Sequence, residues 1–198
     1  MARTNSKEPL IKAARDLFSV KGYDGTGVDE IAESIGMKGP TIYKYFKNKE
    51  DLLKAVVDCA EDEYNEGLGA TDDLPEKIHT GKALKGYALK SLNFTLENDT
   101  AKKMRRLITM EQFRNETLAN QTTRHQLIYL LDVYVPIFEK MMERKEMVKG
   151  DARIIALEFI SPITIMLQLI DREPGKKIEA LRTIEKHIDM FLERYEFV

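Results

Sequence analysis

The chain has 198 residues but only one cysteine, six prolines and no tryptophan. Because a disulfide needs two thiols, no bridge can form within this chain, and a reducing cytoplasm is the expected compartment. The single thiol belongs to Cys59, which lies beside Val56, Val57 and Ala60 in a predicted helix. This setting favours a small packing residue over a redox sensor, which would need an accessible and activated thiol.

Long apolar runs are also scarce. The first ten residues have no apolar core followed by a small-residue cleavage site, so no signal peptide is predicted. The longest apolar stretch, residues 154–170, is at the lower limit for crossing a membrane and contains Glu158, Pro162 and Gln168. We expect a buried helix there and no membrane partner.

The sequence contains no short motif that identifies an enzyme. It has no Gly-rich phosphate loop, no nucleophile elbow and no His-Glu-x-x-His pair. His79, His125 and His187 are far apart, which gives a metal site little support. We therefore predict a protein that is not an enzyme and that uses no cofactor and no metal. A Ser or Cys paired with His in the folded chain is an alternative that no residue singles out.

Residues 26–49, TGVDEIAESIGMKGPTIYKYFKNK, predict two short helices joined by a glycine turn. Val28, Ile31, Ala32 and Ile35 follow the spacing of one apolar helix face. Gly36 comes directly after them, where the end of a helix favours a residue that tolerates positive φ.

The second of these helices covers residues 40–46, which we name the recognition segment. Gly39 and Pro40 fit an N-cap followed by proline at the first helical position. Ile42 and Phe46 are four residues apart and are expected to face inward. The outward face then carries hydroxyl, amide and ammonium groups, from Thr41, Lys44, Tyr45 and Asn48. Such a face suits the major groove of DNA, so the pattern predicts a helix-turn-helix.

The residues around this motif predict an all-α chain. Leu10, Ala13, Ala14, Leu17 and Phe18 repeat at helical spacing in front of it and complete a three-helix unit. Beyond residue 49 every segment has helical periodicity, with Asn48, Asn98 and Asp151 as predicted N-terminal caps. One long helix is expected over about residues 122–144, bent at Pro136.

Charge is unevenly distributed along the chain. The formal net charge is -2, yet residues 1–50 hold nine Lys and Arg against seven Asp and Glu. A mildly basic N-terminal region on an acidic body is compatible with specific DNA binding and argues against indiscriminate coating of nucleic acid.

Residues 12–57 resemble the DNA-binding domain of the TetR (tetracycline-repressor) family of bacterial transcription factors. The motifs that carry the resemblance are Phe18, Gly22-Tyr23, the pattern from Val28 to Ala32, Gly36, Tyr43-x-Tyr45-Phe46 and Lys49-Glu50-x-Leu52-Leu53. Many members have Lys-Gly directly before the Thr of the third helix, where this chain has Gly39 and Pro40. Lys38 is the neighbouring residue that we expect to replace the missing phosphate contact.

The resemblance implies a nine-helix, all-α fold with residues 1–47 as the DNA-binding domain and residues 48–198 as the ligand-binding and dimerisation domain. It implies that Lys49 contacts phosphate, that Tyr43 grips the DNA backbone through its hydroxyl, and that Thr41, Lys44 and Tyr45 touch base edges or nearby phosphates. The full set of expected DNA-binding residues is Lys38, Gly39, Pro40, Thr41, Tyr43, Lys44, Tyr45, Lys47 and Lys49.

The resemblance also implies a cytoplasmic homodimer that pairs through its last two helices and responds to a small-molecule effector. The expected interface residues follow a 3–4 spacing in the last helix or lie in the helix before it: Phe159, Leu181, Ile184, Ile188, Phe191 and Tyr195. The same periodicity also fits helices that only complete the chain's own core, and spacing alone does not choose between the two.

The expected effector pocket is apolar, and its candidate lining residues are Phe94, Met104, Ile108, Met110, Phe113, Tyr134, Phe138 and Met166. Each of these is also an ordinary core residue by type. The function expected from the whole pattern is a repressor that leaves a palindromic operator when an apolar or amphipathic molecule binds. The alternatives are an activator, and a helix-turn-helix that serves protein contacts.

Overall fold

The computed structural model describes residues 7–124 and 128–197. Within these residues the chain is helical and has no strand, which confirms the predicted all-α class. The α-helices are α1 (Lys7–Lys21), α2 (Val28–Ser34), α3 (Lys49–Leu68), α4 (Leu74–Lys77), α5 (Gly81–Glu97), α6 (Asp99–Glu111), α7 (Glu116–Thr123), α8 (Tyr129–Glu143), α9 (Ala152–Arg172) and α10 (Lys177–Arg194). The described part of the chain also forms the 3-10 helices η1 (Gly39–Lys44) and η2 (Pro174–Lys176).

The predicted helix ends are confirmed by their hydrogen bonds. Asn48 Oδ1 accepts from the Asp51 amide at 2.8 Å, and Asn98 Oδ1 accepts from the Ala101 amide at 2.8 Å. The carboxylate of Asp151 accepts from two amides in the first turn of α9, at 2.9 and 3.1 Å. These side chains satisfy amide groups that have no partner inside their helices.

Three expectations about the helices can be compared with the structure. The described residues of the predicted helix over about residues 122–144 are helical up to Glu143: α7 ends at Thr123, Arg124 and Ile128 have π-helical hydrogen bonding, and α8 begins at Tyr129, so the continuity of this helix stays a prediction. Residues 125–127, including His125, lie outside the described residues. Pro136 lies inside α8, as expected. Cys59 is exposed and is therefore not the packing residue that its apolar neighbours in the sequence suggested.

Packing divides the chain into two compact units. The first unit is Met1–Gly67 with Glu97–Thr122, and the second unit is Leu68–Leu96 with Thr123–Val198. Helices α3, α6 and α7 thus pack with α1, α2 and η1 in the first unit. The resemblance implies a boundary after residue 47, which separates the DNA-binding residues from the rest. The two packed units are divided at other residues.

The first unit has one continuous apolar core. Its buried residues come from all six helices, namely Leu10, Ala13, Ala14, Phe18, Ile31, Ala32, Ile42, Phe46, Leu52, Leu53, Val56, Val57, Leu107, Ile108 and Leu118. Because α6 and α7 contribute Leu107, Ile108 and Leu118, the short helices at the N-terminus do not bury their apolar faces alone.

Polar contacts also join α1 to α6 inside the first unit. Arg15 is buried, and its Nη1 donates to Thr100 Oγ1 at 2.5 Å. Lys103 Nζ donates to Asp16 Oδ1 at 2.8 Å. A buried guanidinium is costly unless it is paired, so these contacts fix α1 on α6.

Glu63 of α3 belongs to the same cluster. Burial raises the pKa of its carboxyl, but hydrogen bonds from Asn98 and Thr100 and the charge of Arg15 lower it more, so that the pKa lies below its ordinary value. Asn98 Nδ2 donates to Glu63 Oε1 at 2.9 Å, and Arg15 Nη1 lies 3.6 Å from Glu63 Oε2.

The core of the second unit is rich in aromatic side chains. Phe138 of α8, Phe159 of α9 and Phe191 of α10 contact one another, with ring centroids 4.9 to 5.8 Å apart. Tyr134 adds a fourth ring, 5.0 Å from that of Phe159. These rings hold α8, α9 and α10 together as one packed layer.

Helix α9 is long and apolar enough to cross a membrane by length and composition, with a mean hydropathy of 1.7. One side of it packs in the second unit, where Phe159 and Ile160 are buried. Ile154 and Ile165 on its other side are exposed. A helix that is apolar over most of its circumference needs cover on both sides, so this chain covers only half of α9.

Candidate nucleic-acid interface

The recognition segment is anchored on one side and open on the other. Ile42 and Phe46 are buried in the core of the first unit, as predicted. Tyr43 is 57% exposed, and Pro40 and Lys44 are also exposed. Thr41 and Tyr45 are half-buried. The segment therefore presents hydroxyl and ammonium groups on a surface that its apolar residues hold in place.

The local helix is shorter and tighter than predicted. It is a six-residue 3-10 helix, Gly39–Lys44, in place of an α-helix over residues 40–46. Lys38 rather than Gly39 takes the N-cap position, and the Thr41 amide donates to the Lys38 carbonyl at 2.8 Å. A 3-10 helix is built on i-to-i+3 bonds, and just beyond its end the Phe46 amide reaches back four residues and donates to the Ile42 carbonyl at 3.0 Å.

Gly39 has a role that its sequence position did not indicate. It is buried, and a Cβ on it would overlap the Asp29 carboxylate, 2.6 Å from Asp29 Cγ and 3.3 Å from Asp29 Cα. Gly39 therefore lets α2 and η1 approach closely, and it is buried although it belongs to the expected set of DNA-binding residues. A side chain at this position would have to displace the Asp29 carboxylate, which is exposed.

Gly36 forms the turn between the two helices with φ of +73°, as predicted. Residues other than glycine are rare at this φ because their Cβ is strained there. The Gly36 amide donates to the Glu33 carbonyl at 3.0 Å, and the Met37 amide donates to Ala32 at 2.9 Å. These bonds close the end of α2 and set the direction of the chain into η1.

Four predicted lysines surround the recognition segment. Lys38, Lys44 and Lys47 are exposed, whereas Lys49 is half-buried at the start of α3. Lys49 Nζ lies over the ring of Tyr23, 4.3 Å from its centroid. Three cations are thus free to move in solvent and one is held against an aromatic face.

Two contacts near this surface were not predicted from the sequence. Lys7, in the first turn of α1, places its Nζ 5.8 Å from the centroid of the Phe46 ring. Tyr23 was recognised as part of a family motif but not as a neighbour of Lys49. Burial and a hydrogen bond to Glu50 raise the pKa of Tyr23 far above its ordinary value, so its hydroxyl stays protonated. Neither contact has a sequence signal, because each joins residues that are distant along the chain.

The predicted pocket residues fall into three kinds of environment. Tyr134, Phe138 and Met166 belong to the core of the second unit, and Met104 and Ile108 belong to that of the first. Phe94 is half-buried in α5. Phe113 is 93% exposed and Met110 is partly exposed, so these two residues do not line an enclosed space in this chain. Phe113 lies beyond the end of α6 at Glu111, where the helical spacing used to place it no longer applies.

The predicted interface residues face the chain's own core. Phe159, Ile184, Ile188 and Phe191 are buried in the second unit, and Leu181 and Tyr195 pack against the same core. Their 3–4 spacing marks a buried stripe, and here the same chain buries it. These residues therefore pack against the chain's own core, and their contact with a second copy stays a prediction.

The exposed apolar residues of α9 and α10 lie elsewhere on these helices. Ile178 is 68% exposed and Met190 is 59% exposed, in addition to Ile154 and Ile165. Ile154 and Met190 line a shallow groove between the two helices. Inside this groove His187 Nε2 donates to the Phe159 carbonyl at 3.0 Å, which assigns the proton to that nitrogen.

Within residues 7–124 and 128–197, no group of three or more His, Cys, Asp or Glu side chains is placed to hold a metal ion. His79 Nδ1 lies 3.2 Å from Glu146 Oε1, at an exposed position far from the other described histidine. The described residues therefore contain no candidate metal site.

Comparison with known proteins agrees with this geometry. The family model for bacterial regulatory proteins of the tetR family matches residues 10–56. The chain is 41% identical over 59 residues to the biofilm operon icaADBC HTH-type negative transcriptional regulator IcaR of Staphylococcus aureus strain Newman. It is 43% identical over 54 residues to IcaR of Staphylococcus epidermidis. These matches cover 30% and 27% of this chain and only 32% and 29% of the two relatives, so the chain matches about a third of their length.

Solved structures extend the likeness over the whole chain. A TetR-family transcriptional regulator from Mesorhizobium loti MAFF303099 is similar with a TM-score of 0.75 and 26% identity, covering 100% of both chains. SmeT, the repressor of the Stenotrophomonas maltophilia multidrug efflux pump SmeDEF, has a TM-score of 0.71 at 20% identity, over 97% of this chain and 91% of that one. Its complex with triclosan has a TM-score of 0.76 at 20% identity, over 96% and 91%. The likeness to SmeT shows the fold alone.

Proposed function

The chain belongs to the TetR family of bacterial regulatory proteins, and we propose that it is a transcriptional regulator whose residues 1–47 bind operator DNA. The observation that supports this most directly is the recognition segment. Its apolar residues Ile42 and Phe46 are buried, while Lys44 and Tyr43 point into solvent beside three further lysines. A rigidly held cationic face of this kind suits the major groove.

We assign two roles to the exposed residues. Thr41, Lys44 and Tyr45 meet base edges, where lysine donates to guanine and the threonine methyl contacts the thymine methyl. Lys38, Lys47, Lys49 and the Tyr43 hydroxyl contact phosphates, which fixes the register of the protein on the duplex. Pro40 holds the start of η1, and Gly39 provides the space for it.

The test is a binding titration, monitored by fluorescence anisotropy, of the purified protein against the promoter next to its own gene. Lys49→Ala should weaken binding to every sequence alike and reduce the salt dependence by about one counterion. Lys44→Ala and Thr41→Ala should each cost about 1–3 kcal/mol on the operator and relax sequence preference. Lys90→Ala, which removes an exposed lysine from α5 in the second unit, is the matched control. A Lys44→Ala protein with unchanged sequence preference would remove that residue from base reading.

We further propose that the protein is a homodimer formed through α9 and α10. Support comes from the exposed apolar side chains Ile154, Ile165, Ile178 and Met190, because single chains rarely leave so many large apolar residues uncovered on adjacent helices. A twofold axis would place two recognition segments about 34–36 Å apart, one turn of DNA, or a multiple of it. The double variant Ile165→Glu with Met190→Glu should be monomeric by light scattering, whereas Leu181 and Ile184 are unsuitable sites because they stabilise the chain itself.

Residues 48–198 are proposed to bind an apolar or amphipathic effector and to release the operator when they do. A ligand can shift the equilibrium only by its differential affinity for the two forms of the protein. Mass spectrometry of small molecules extracted from the purified protein, followed by titration of the operator with and without the extract, tests this. An extract that binds without changing operator affinity counts against effector control.

Repression is favoured over activation, because occupancy of an operator is enough to block polymerase and because the IcaR relatives are negative regulators. Deletion of the gene should then raise transcription from the bound promoter, and a fall would indicate an activator. If no genomic fragment is bound, the helix-turn-helix serves protein contacts instead. We place the protein in the cytoplasm, where its DNA is.

A further inference from the structure

The surroundings of Lys49 contain a second, unassigned element of the DNA-binding surface. We propose that Tyr23 is a positioning residue for the Lys49 ammonium, holding it on the face of its ring where it can meet a phosphate. This inference rests on the proposed DNA-binding function, and in particular on the contact between Lys49 and phosphate.

The position of the ammonium is the first observation. Lys49 Nζ lies 4.3 Å from the centroid of the Tyr23 ring, well inside the range of about 6 Å over which a cation is attracted to an aromatic face. An ammonium has three N–H donors, and a ring on one side leaves the others directed to the opposite side. Lys49 can therefore keep its contact with the ring and donate to a phosphate at the same time.

The second observation is that Tyr23 is held in place at three points: its hydroxyl, its backbone amide and its ring. Its hydroxyl donates to the carboxylate of Glu50. Its backbone amide donates to Glu111 Oε1 at 3.0 Å. Its ring contacts the buried ring of Phe18, with centroids 5.5 Å apart. Because its hydroxyl, backbone amide and ring all have partners, Tyr23 has little conformational freedom. The ring therefore keeps one position relative to Lys49.

Neighbouring residues hold these partners in turn. Glu111 is buried at the end of α6, and a Cβ on Gly22 would lie 2.5 Å from its Oε1. Gly22 also has φ of +76°, so glycine is favoured there for two separate reasons. Glu50 Oε1 accepts a second hydrogen bond, from Thr117 Oγ1 at 2.9 Å. The packing that fixes Tyr23 therefore includes α6 and α7 of the first unit.

The energetic reason for such an arrangement is preorganisation. A lysine side chain loses rotamer entropy when it is immobilised. Part of that loss has already occurred in the free protein if the ammonium rests on a ring. Lys38, Lys44 and Lys47 have no such support, so Lys49 should contribute more to phosphate binding than any of them.

The test changes the electron density of the ring and keeps its shape. Tyr23 is replaced by phenylalanine and by phenylalanine with one, two or three fluorines, each of which weakens the negative potential of the ring face. Operator affinity should fall stepwise along the series, by about two- to five-fold in total. In a Lys49→Ala background the same series should have no effect. Circular dichroism and thermal melting check that every protein is folded, and phenylalanine is the common reference for the fluorinated residues.

The outcomes separate this inference from the function on which it rests. If the native protein binds no operator, or if Lys49→Ala leaves the salt dependence unchanged, the proposed phosphate contact is wrong. If Lys49→Ala reduces the salt dependence but fluorination changes nothing, Tyr23 is only a core residue and the positioning role is refuted. An equal loss along the series with and without Lys49 also refutes it, because the ring would then act independently of the lysine.

Discussion

Replacement of Gly39 by alanine tests how the turn before the recognition segment is built. The new Cβ would overlap the Asp29 carboxylate and approach Asp29 Cα to 3.3 Å. Gly39 has no positive φ, so alanine can adopt its backbone conformation and the overlap is the main penalty. Overpacking of this kind costs about 1–3 kcal/mol. The loss of glycine's freedom in the unfolded chain returns roughly 0.4–1 kcal/mol.

The expected net effect of Gly39→Ala is a free energy of unfolding lower by about 1–2 kcal/mol, measured by urea denaturation. For a chain of this size that corresponds to a melting temperature lower by about 2–8 °C. Asp29→Ala removes the carboxylate that the new methyl group would meet. The double variant Asp29→Ala with Gly39→Ala should therefore be more stable than Gly39→Ala alone, with a coupling energy of about 0.5–3 kcal/mol.

Gly86→Ala is the matched control for this experiment. Gly86 lies in the interior of α5, and a Cβ there meets nothing within 4 Å. Alanine in a helix interior is favoured over glycine by about 0.8–1 kcal/mol, so this change should stabilise the chain. The reasoning is refuted if Gly39→Ala is as stable as the native protein, or if Asp29→Ala fails to relieve it.

Three further predictions concern stability, pH and chemical access. Asp151→Ala should lower the free energy of unfolding by about 0.5–2 kcal/mol because it uncaps α9, and Asp151→Asn should retain most of the stability in the same urea titration. The pKa of Glu63 is lower in the folded chain than its ordinary value of 4.5, so its stabilising contribution is present above that pH and is lost as pH falls through the folded pKa. The stability difference between the native protein and Glu63→Gln should therefore shrink as urea titrations are taken from pH 6 to pH 3, and a constant difference would contradict this cause. Cys59 is exposed and should react with a thiol-specific disulfide reagent in the folded protein without denaturant, whereas slow reaction limited by unfolding would show that it is buried.

The parts of the fold that could be predicted from sequence are those with local causes. Asn98 and Asp151 cap helices because their side chains reach amides two or three residues ahead. Gly36 ends α2 because few residues other than glycine tolerate its φ. Ile42 and Phe46 are buried as their four-residue spacing predicted, although Phe46 lies just beyond the end of η1. Each of these features depends on a few neighbouring residues, so the sequence contains all the information needed.

The parts that could not be predicted depend on which surfaces of distant segments pack against each other. The periodicity of Ile184, Ile188 and Phe191 identified a buried stripe but gave no indication of whether this chain or a second copy covers it. The contact between Asp29 and Gly39 joins two helices, and that between Glu111 and Tyr23 joins α6 to the turn after α1; neither has a pattern in the sequence. Phe113 is a core residue by type, but it lies beyond Glu111, where α6 ends, and is exposed.

The first unit is discontinuous in sequence, and this matters while the protein is being made. Its chain stops at residue 67 and resumes at residue 97, and α6 and α7 complete its core. On the ribosome the N-terminal helices must wait for residue 122 to emerge, an interval on the order of several seconds at typical synthesis rates. Until then Leu52, Leu53 and Val56 lack their final partners, so nascent chains shorter than this are the form most exposed to chaperones and proteases.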